Sequence, residues 1–148
     1  MKIKITTYAD CIELASRLRK SDITEIWSSH HLEPLEALLL GLEYSNEIYS
    51  VFFDNKLVLI FGITLDNNIY CPWMLASNDI NEHPVTFYRQ SKKIIKDIIQ
   101  GYEYLENYVD ANNTDSIKWL KWLGFTIDKP VPFGLEQKLF HRFFMGGV

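Results

Sequence analysis

Asp110 follows a short strand-like run, Tyr104–Val109, where a carboxylate whose pKa is raised by burial could act as a general base. The same position suits a turn, in which Asp caps nearby backbone amides. His30 and His31 are neighbours. Adjacent helical residues point in different directions, and zinc needs three or four convergent ligands. The pair reads as a helix end or a surface feature, and no metal is expected. His83, before Pro84, reads as the residue that opens a helix. Arg89, Lys92, Lys93 and Lys96 recur at helical spacing. Such a stripe would meet a phosphate or an acidic partner, or simply face solvent. Cys11 and Cys71 lie far apart in no metal-binding spacing and read as reduced packing thiols. No Ser-His-Asp or Cys-His arrangement can be located from spacing.

The elements that must position these residues can be read from periodicity. Lys2–Thr6 alternates as a half-exposed strand. Cys11, Ile12, Leu14, Ala15 and Leu18 have helical spacing, with Asp10 as the expected N-cap. Ser21 or Asp22 is expected to cap a second helix through Trp27, and Pro34 to open a third carrying Leu35, Leu38, Leu39 and Leu42. Glu47–Phe53 and Lys56–Ile63 flank Asp54-Asn55, a hairpin signal. The second of these runs is apolar on both faces, which suits a central strand. Ile69–Ser77 reads as a further strand in which Pro72 implies an edge or a bulge. A long helix from Pro84 to about Gln100, stopped by Gly101, buries Phe87, Ser91, Ile94, Ile95, Ile98 and Ile99. Asn113 or Thr114 caps a short helix closed by Gly124. That helix is apolar almost all round, through Ile117, Trp119, Leu120, Trp122 and Leu123. Phe125–Ile127 and Phe140–Met145 read as the last strands. The order predicts one α/β domain over residues 1–148: a mixed sheet with helices on both faces and a parallel crossover across residues 69–109.

The 148 residues are 47% hydrophobic and 14% aromatic, a composition that buries a core without disulfides or metals. Fifteen Lys and Arg stand against nineteen Asp and Glu. Broad nucleic-acid binding is therefore not expected, although a local basic stripe remains open. The first residues, MKIKITTYAD, have no signal-peptide apolar stretch. The longest apolar run, Leu57–Ile63, is too short to span a bilayer.

Residues 113–125, NTDSIKWLKWLGF, resemble the segment after the fifth strand of the GNAT (N-acetyltransferase-type) proteins. There an Asn, a small residue and an aliphatic precede an aromatic-rich helix ending in Gly-Phe. The order of elements agrees along nearly the whole chain. The resemblance implies a mostly antiparallel GNAT-like sheet with one parallel, splayed strand pair that takes the pantetheine of acyl-CoA. On it, Trp73, Met74, Leu75 and Ala76 would line the slot from one strand, with Pro72 marking a bulge. Asn113, Ser116 and Trp119 would face the slot from the other side, and Asp110 would sit near the acceptor amine. Two features depart from the family. The loop 78–85, NDINEHPV, has no glycine and two acidic residues where pyrophosphate would rest on amides. Leu120 stands where the family often carries a proton-donating Tyr.

The stretches SSHHLEPLEALLLGLEYS, CPWMLAS, FYRQSKK and LENYVDANNTDSIKWLKWLGF resemble a narrower group, the phage proteins that include the T7-type internal virion protein A. That resemblance implies a GNAT-fold phage protein with a degenerate acyl-CoA site. It would act in virion assembly or inside the particle, through a phage or host protein, without nucleic acid or a membrane span. It implies the cytoplasm of the infected bacterium, or the virion interior. The alternative is an active N-acetyltransferase using acetyl-CoA on a host or phage amine.

Overall fold

A computed structural model describes residues 1–82 and 84–146. His83, read above as opening the long helix, lies outside the described residues. Strand β1 (Lys2–Ile5) is followed by three helices, α1 (Tyr8–Ala15), α2 (Lys20–His30) and α3 (Pro34–Tyr44). Then come β2 (Ser45–Phe53), β3 (Lys56–Asp66) and β4 (Ile69–Ala76). A short 3-10 turn, Asn78–Glu82, leads into α4 (Pro84–Ile99). The chain continues through β5 (Tyr104–Asp110), α5 (Thr114–Leu123), β6 (Thr126–Phe133) and β7 (Lys138–Gly146). The strands form one sheet in the order β1-β2-β3-β4-β5-β7-β6, antiparallel except between β4 and β5. The expected mixed sheet and parallel crossover are both present.

The hairpin expected at Asp54-Asn55 forms, with both residues in the left-handed region at φ 50° and 63°, as a type I′ turn requires. Leu57 to Ile63 are buried on both faces of the central strand β3. One face of the sheet packs on α1 and α3, through Leu14, Leu38, Leu57, Ile60 and Leu75. The other packs on α4 and α5, through Phe87, Ile95, Ile99, Trp119 and Leu123. Burying each such side chain is worth about 1.5–3 kcal/mol.

The structure differs from the local signals at two helix starts. Thr7 caps α1, and Asp10 sits three residues in and bonds back to the Thr7 amide, completing a capping box. Helix α2 starts before Ser21, with Arg19 at its N-cap, and Asp22 lies inside the helix with its carboxylate buried. Helix α4 ends at Ile99, within one residue of the expected end, and Gly101 follows without a positive φ. Gly124 does close α5 in the left-handed region, at φ +104°.

Helix α2 lies across the end of the sheet and is tied down at its C-terminus by the β6–β7 turn. The amides of Leu135 and Glu136 donate to the carbonyls of Ser29 and Ser28, at 3.0 and 3.1 Å. This approach needs glycine at 134, where φ is +77° and an added Cβ would lie 2.6 Å from the Ser29 Cα. Gly134→Ala is expected to cost roughly 2 kcal/mol, from left-handed strain plus overpacking against backbone. A urea midpoint unchanged from wild type would show that this anchor is loose.

Candidate functional site

Among the described residues, β4 and β5 pair at a single register position, Tyr70 with Leu105, and no ladder continues toward their C-terminal ends. The two strands form a fork. The Ser77 amide donates to Val58 of β3, so by antiparallel alternation the backbone groups of Pro72, Met74 and Ala76 face the fork. This accounts for Pro72. The nitrogen that cannot donate points where no ladder bond is required. The expected bulge is not there: the β3–β4 register is unbroken from Leu59–Ala76 to Asp66–Ile69, and the register shifts lie between β2 and β3 and between β6 and β7.

Side chains along β4 alternate. Trp73 and Leu75 turn to the α1–α3 face, where the Trp73 indole packs over Gly41 and Gly62 and its Nε1 donates to Ser45 Oγ at 3.0 Å. Met74 and Ala76 turn to the α4–α5 face. Across the fork, Asn113 caps α5 by accepting from the Ser116 amide, while Ser116 Oγ lies 3.4 Å from Arg19 Nη2. Trp119 is buried and stacks on Phe87 at 5.9 Å. Asn113 Nδ2 and Trp119 Nε1 are buried donors without a partner among the described residues. Leu120 packs in the core.

The fork is spanned by side chains from the start of α2. Arg19 grips Asp22 with two bonds, Nε to Oδ2 at 3.0 Å and Nη2 to Oδ1 at 2.9 Å, and both residues are buried. Asp22 Oδ2 also accepts the Ala76 amide at 2.8 Å, and the Arg19 amide donates to the Ala76 carbonyl at 2.8 Å. Leu18 and Ser77 form an isolated antiparallel bridge beside this pair. One turn further along α2, Glu25 Oε1 accepts the Asp110 amide from β5 at 2.6 Å. Deeper in the fork, Asn107 Nδ2 donates to the Pro72 carbonyl at 2.8 Å. The Ala76 amide and carbonyl, the Pro72 carbonyl and the Asp110 amide are thus taken by this chain's own groups.

The electrostatics single out a residue that sequence reading missed. Burial pushes the Glu25 carboxyl up to about 7, and the charges of Asp22 and Asp110 add to that, against the Asp110 amide and Arg19. Burial also raises Asp22, against the Arg19 charge and the bonds it accepts from Arg19 and Ala76. Asp110 itself is buried, and its Oδ1 accepts the Asn112 amide at 2.9 Å, so it takes the turn-capping geometry. Arg19, Asp22 and Glu25 recur every three residues, a spacing that puts all three on one helical face. That spacing was visible in the sequence.

The loop after β4 also differs from an anion cradle. Asp79 bonds Arg17 at 2.8 Å and Lys56 at 3.0 Å, and accepts from Ser77 Oγ at 2.9 Å. Burial works against its ionisation, but Lys56, Ser77 and Arg17 outweigh this and hold the carboxyl below its ordinary value. This loop is organised by side-chain ion pairs rather than by glycine amides. Cys71 is a poor nucleophile, its thiol pushed up to about 11 by burial and by Asp66 and Glu106. His31 closes α2 in a left-handed conformation, stacks on Trp27 and bonds Glu136. No group of metal-ligating side chains occurs among the described residues.

Solved structures supply the comparison for this architecture. A ribosomal-protein-alanine N-acetyltransferase from Brucella melitensis superposes with a TM-score of 0.70, over 99% of this chain and 100% of that one, at 14% identity. The chain has the GNAT fold. A spermidine N-acetyltransferase from Vibrio cholerae, solved with CoA and spermine, gives 0.70 at 12% identity, covering 97% and 94% of the two chains. A GNAT-family acetyltransferase from Streptococcus pneumoniae gives 0.62 at 14% identity, covering 99% of each. Identities this low speak for the fold alone. No family model matches the chain, and no curated protein matches its sequence.

The resemblance placed the pantetheine of acyl-CoA on the fork's exposed backbone. Two orphaned donors, Asn113 Nδ2 and Trp119 Nε1, would suit an acceptor. At the Ala76 end the strand does not fit the group, because both backbone groups of Ala76 are taken, and the loop that follows carries Asp79 and no glycine.

Proposed function

We propose that this GNAT-fold chain acts through contacts with protein partners and does not turn over acyl-CoA. One observation carries the reading: the amide and carbonyl of Ala76 are held by Asp22 and Arg19 of the same chain. To pair with β4 there, pantetheine would first have to displace these two hydrogen bonds, one of them from a buried carboxylate that Arg19 holds in place. The partner follows the sequence resemblance to the phage internal virion proteins, which rests on those stretches alone. On it, the chain works in the infected bacterium or inside the particle, bound to a phage or host protein. Calorimetric titration with acetyl-CoA and with CoA is expected to show no binding at high micromolar concentration. Binding at micromolar affinity, about −8 kcal/mol, would overturn the proposal.

A second reading is favoured by Glu25. A partly covered carboxyl raised to about 7 at the end of β5 has the properties of a general base for an amine. An acetyl-CoA-consuming activity on some amine, abolished by Glu25→Gln, would establish that reading and remove the first.

A further inference from the structure

Helices α4 and α5 share one face of the sheet, and their packing gathers cations that the sequence holds apart. Inside the seam, Phe87 stacks on Trp119. Outside it, Lys92 Nζ lies 4.2 Å from the centre of the Trp122 ring. The contact fixes which rows of the two helices border each other. Arg89, Lys92 and Lys96 run along α4 beside Lys118 and Trp122 of α5, with Lys93 and Lys121 next to these rows.

These two helices carry six Lys or Arg against two carboxylates, Asp97 and Asp115; the rest of the chain has nine against seventeen. A net-acidic protein therefore presents one positive face. None of the six takes part in an ion pair among the described residues. Elsewhere Arg17, Arg19, Lys56 and Arg142 are each held by a carboxylate. Trp122 is 52% exposed, with Lys92 over its ring.

We propose that the α4–α5 face binds a short stretch of single-stranded nucleic acid, its phosphates meeting the lysines and a base stacking on Trp122. The residue types favour this partner over an acidic protein. Five of the six cations are Lys, which is depleted at protein–protein interfaces. Point charges around an open aromatic are what sequence-tolerant strand binding uses. Arg89 to Lys96 spans about 10 Å of helix, and the acidic remainder of the surface repels a longer polyanion, so about three or four phosphates engage. This inference stands apart from the fork, so its outcome is independent of the CoA titration.

The test is fluorescence anisotropy with labelled oligo-dT and oligo-U of about 20 nucleotides. Raising salt from about 50 to about 200 mM is expected to weaken binding about 30-fold, the slope for three or four phosphates on a single strand. The triple variant Lys92→Ala, Lys96→Ala, Lys118→Ala should lose most of the affinity and most of the salt dependence. The matching Lys→Arg triple should keep both. Trp122→Ala should weaken binding while leaving the salt slope in place. The proposal is overturned by no anisotropy change at about 100 μM protein and low salt, or by wild-type binding in the alanine triple. Equal displacement by poly-glutamate, with no effect of Trp122→Ala, would also overturn it and assign the face to an acidic protein.

Discussion

Asp22→Ala is expected to lower folding stability by about 3–5 kcal/mol, a large share of the 5–15 kcal/mol that holds an ordinary domain together. The substitution removes one partner of a buried pair and leaves the other behind. Arg19 would keep its charge in the interior with Ser116 Oγ, at 3.4 Å, in place of the two-point carboxylate contact, and the Ala76 amide would lose its acceptor. The first cost belongs to the charge stranded by the change, so Arg19→Met with Asp22→Leu should recover that part of the loss, while the Ala76 amide stays without its acceptor. Urea unfolding of the singles and the double reads this directly. A single-variant loss below about 1 kcal/mol would mean that water reaches the pair and that α2 is not locked in the fork. The reading of a closed cleft would then lose its support as well. If Asp22→Ala stays folded and gains affinity for CoA, the pair is what keeps the cofactor out.

The fold was legible because most of its elements carry strong local signals. Asp54-Asn55 demands a turn with two left-handed residues, and the β2–β3 hairpin has one. The stripe of Phe87, Ser91, Ile95 and Ile99 has one helical solution, and all four are buried. The fork was legible only as a resemblance, because a strand's sequence does not say where it leaves its neighbour. Pro72 shows the ambiguity. A residue that cannot donate fits an edge, a bulge or the open side of a fork, and only the register chooses the third. Asp22 was misread for a related reason. Asp near a helix start is usually a cap, and nothing local reports that an amide 54 residues away needs its oxygen. The same holds for Glu25, whose partner is the Asp110 amide in β5. Asp110 drew attention as the residue nearest the acceptor side, yet the carboxyl raised by its surroundings is the one facing it from α2.

Glu25 makes the second large prediction, and its sign follows from the direction of the shift. The carboxyl goes from an ordinary 4.5 to about 7 in the folded chain, through burial first and then through Asp22 and Asp110. The folded state therefore holds a proton that the unfolded chain releases earlier. Stability is unaffected by Glu25 below about pH 4, falls as pH rises from there to about 7, and stays lowered above that. The full penalty is about 2–3 kcal/mol, since the residue is only partly covered and water moderates the shift. Glu25→Gln keeps an oxygen for the Asp110 amide and removes the charge. It should match wild type at about pH 4 and exceed it by about 2–3 kcal/mol at about pH 8. Urea midpoints of the two proteins across this range give the difference curve. A gap that stays constant with pH would show that Glu25 titrates as an ordinary surface carboxylate. The end of β5 would then be open to solvent, and neither the closed fork nor a poised base could be built on it.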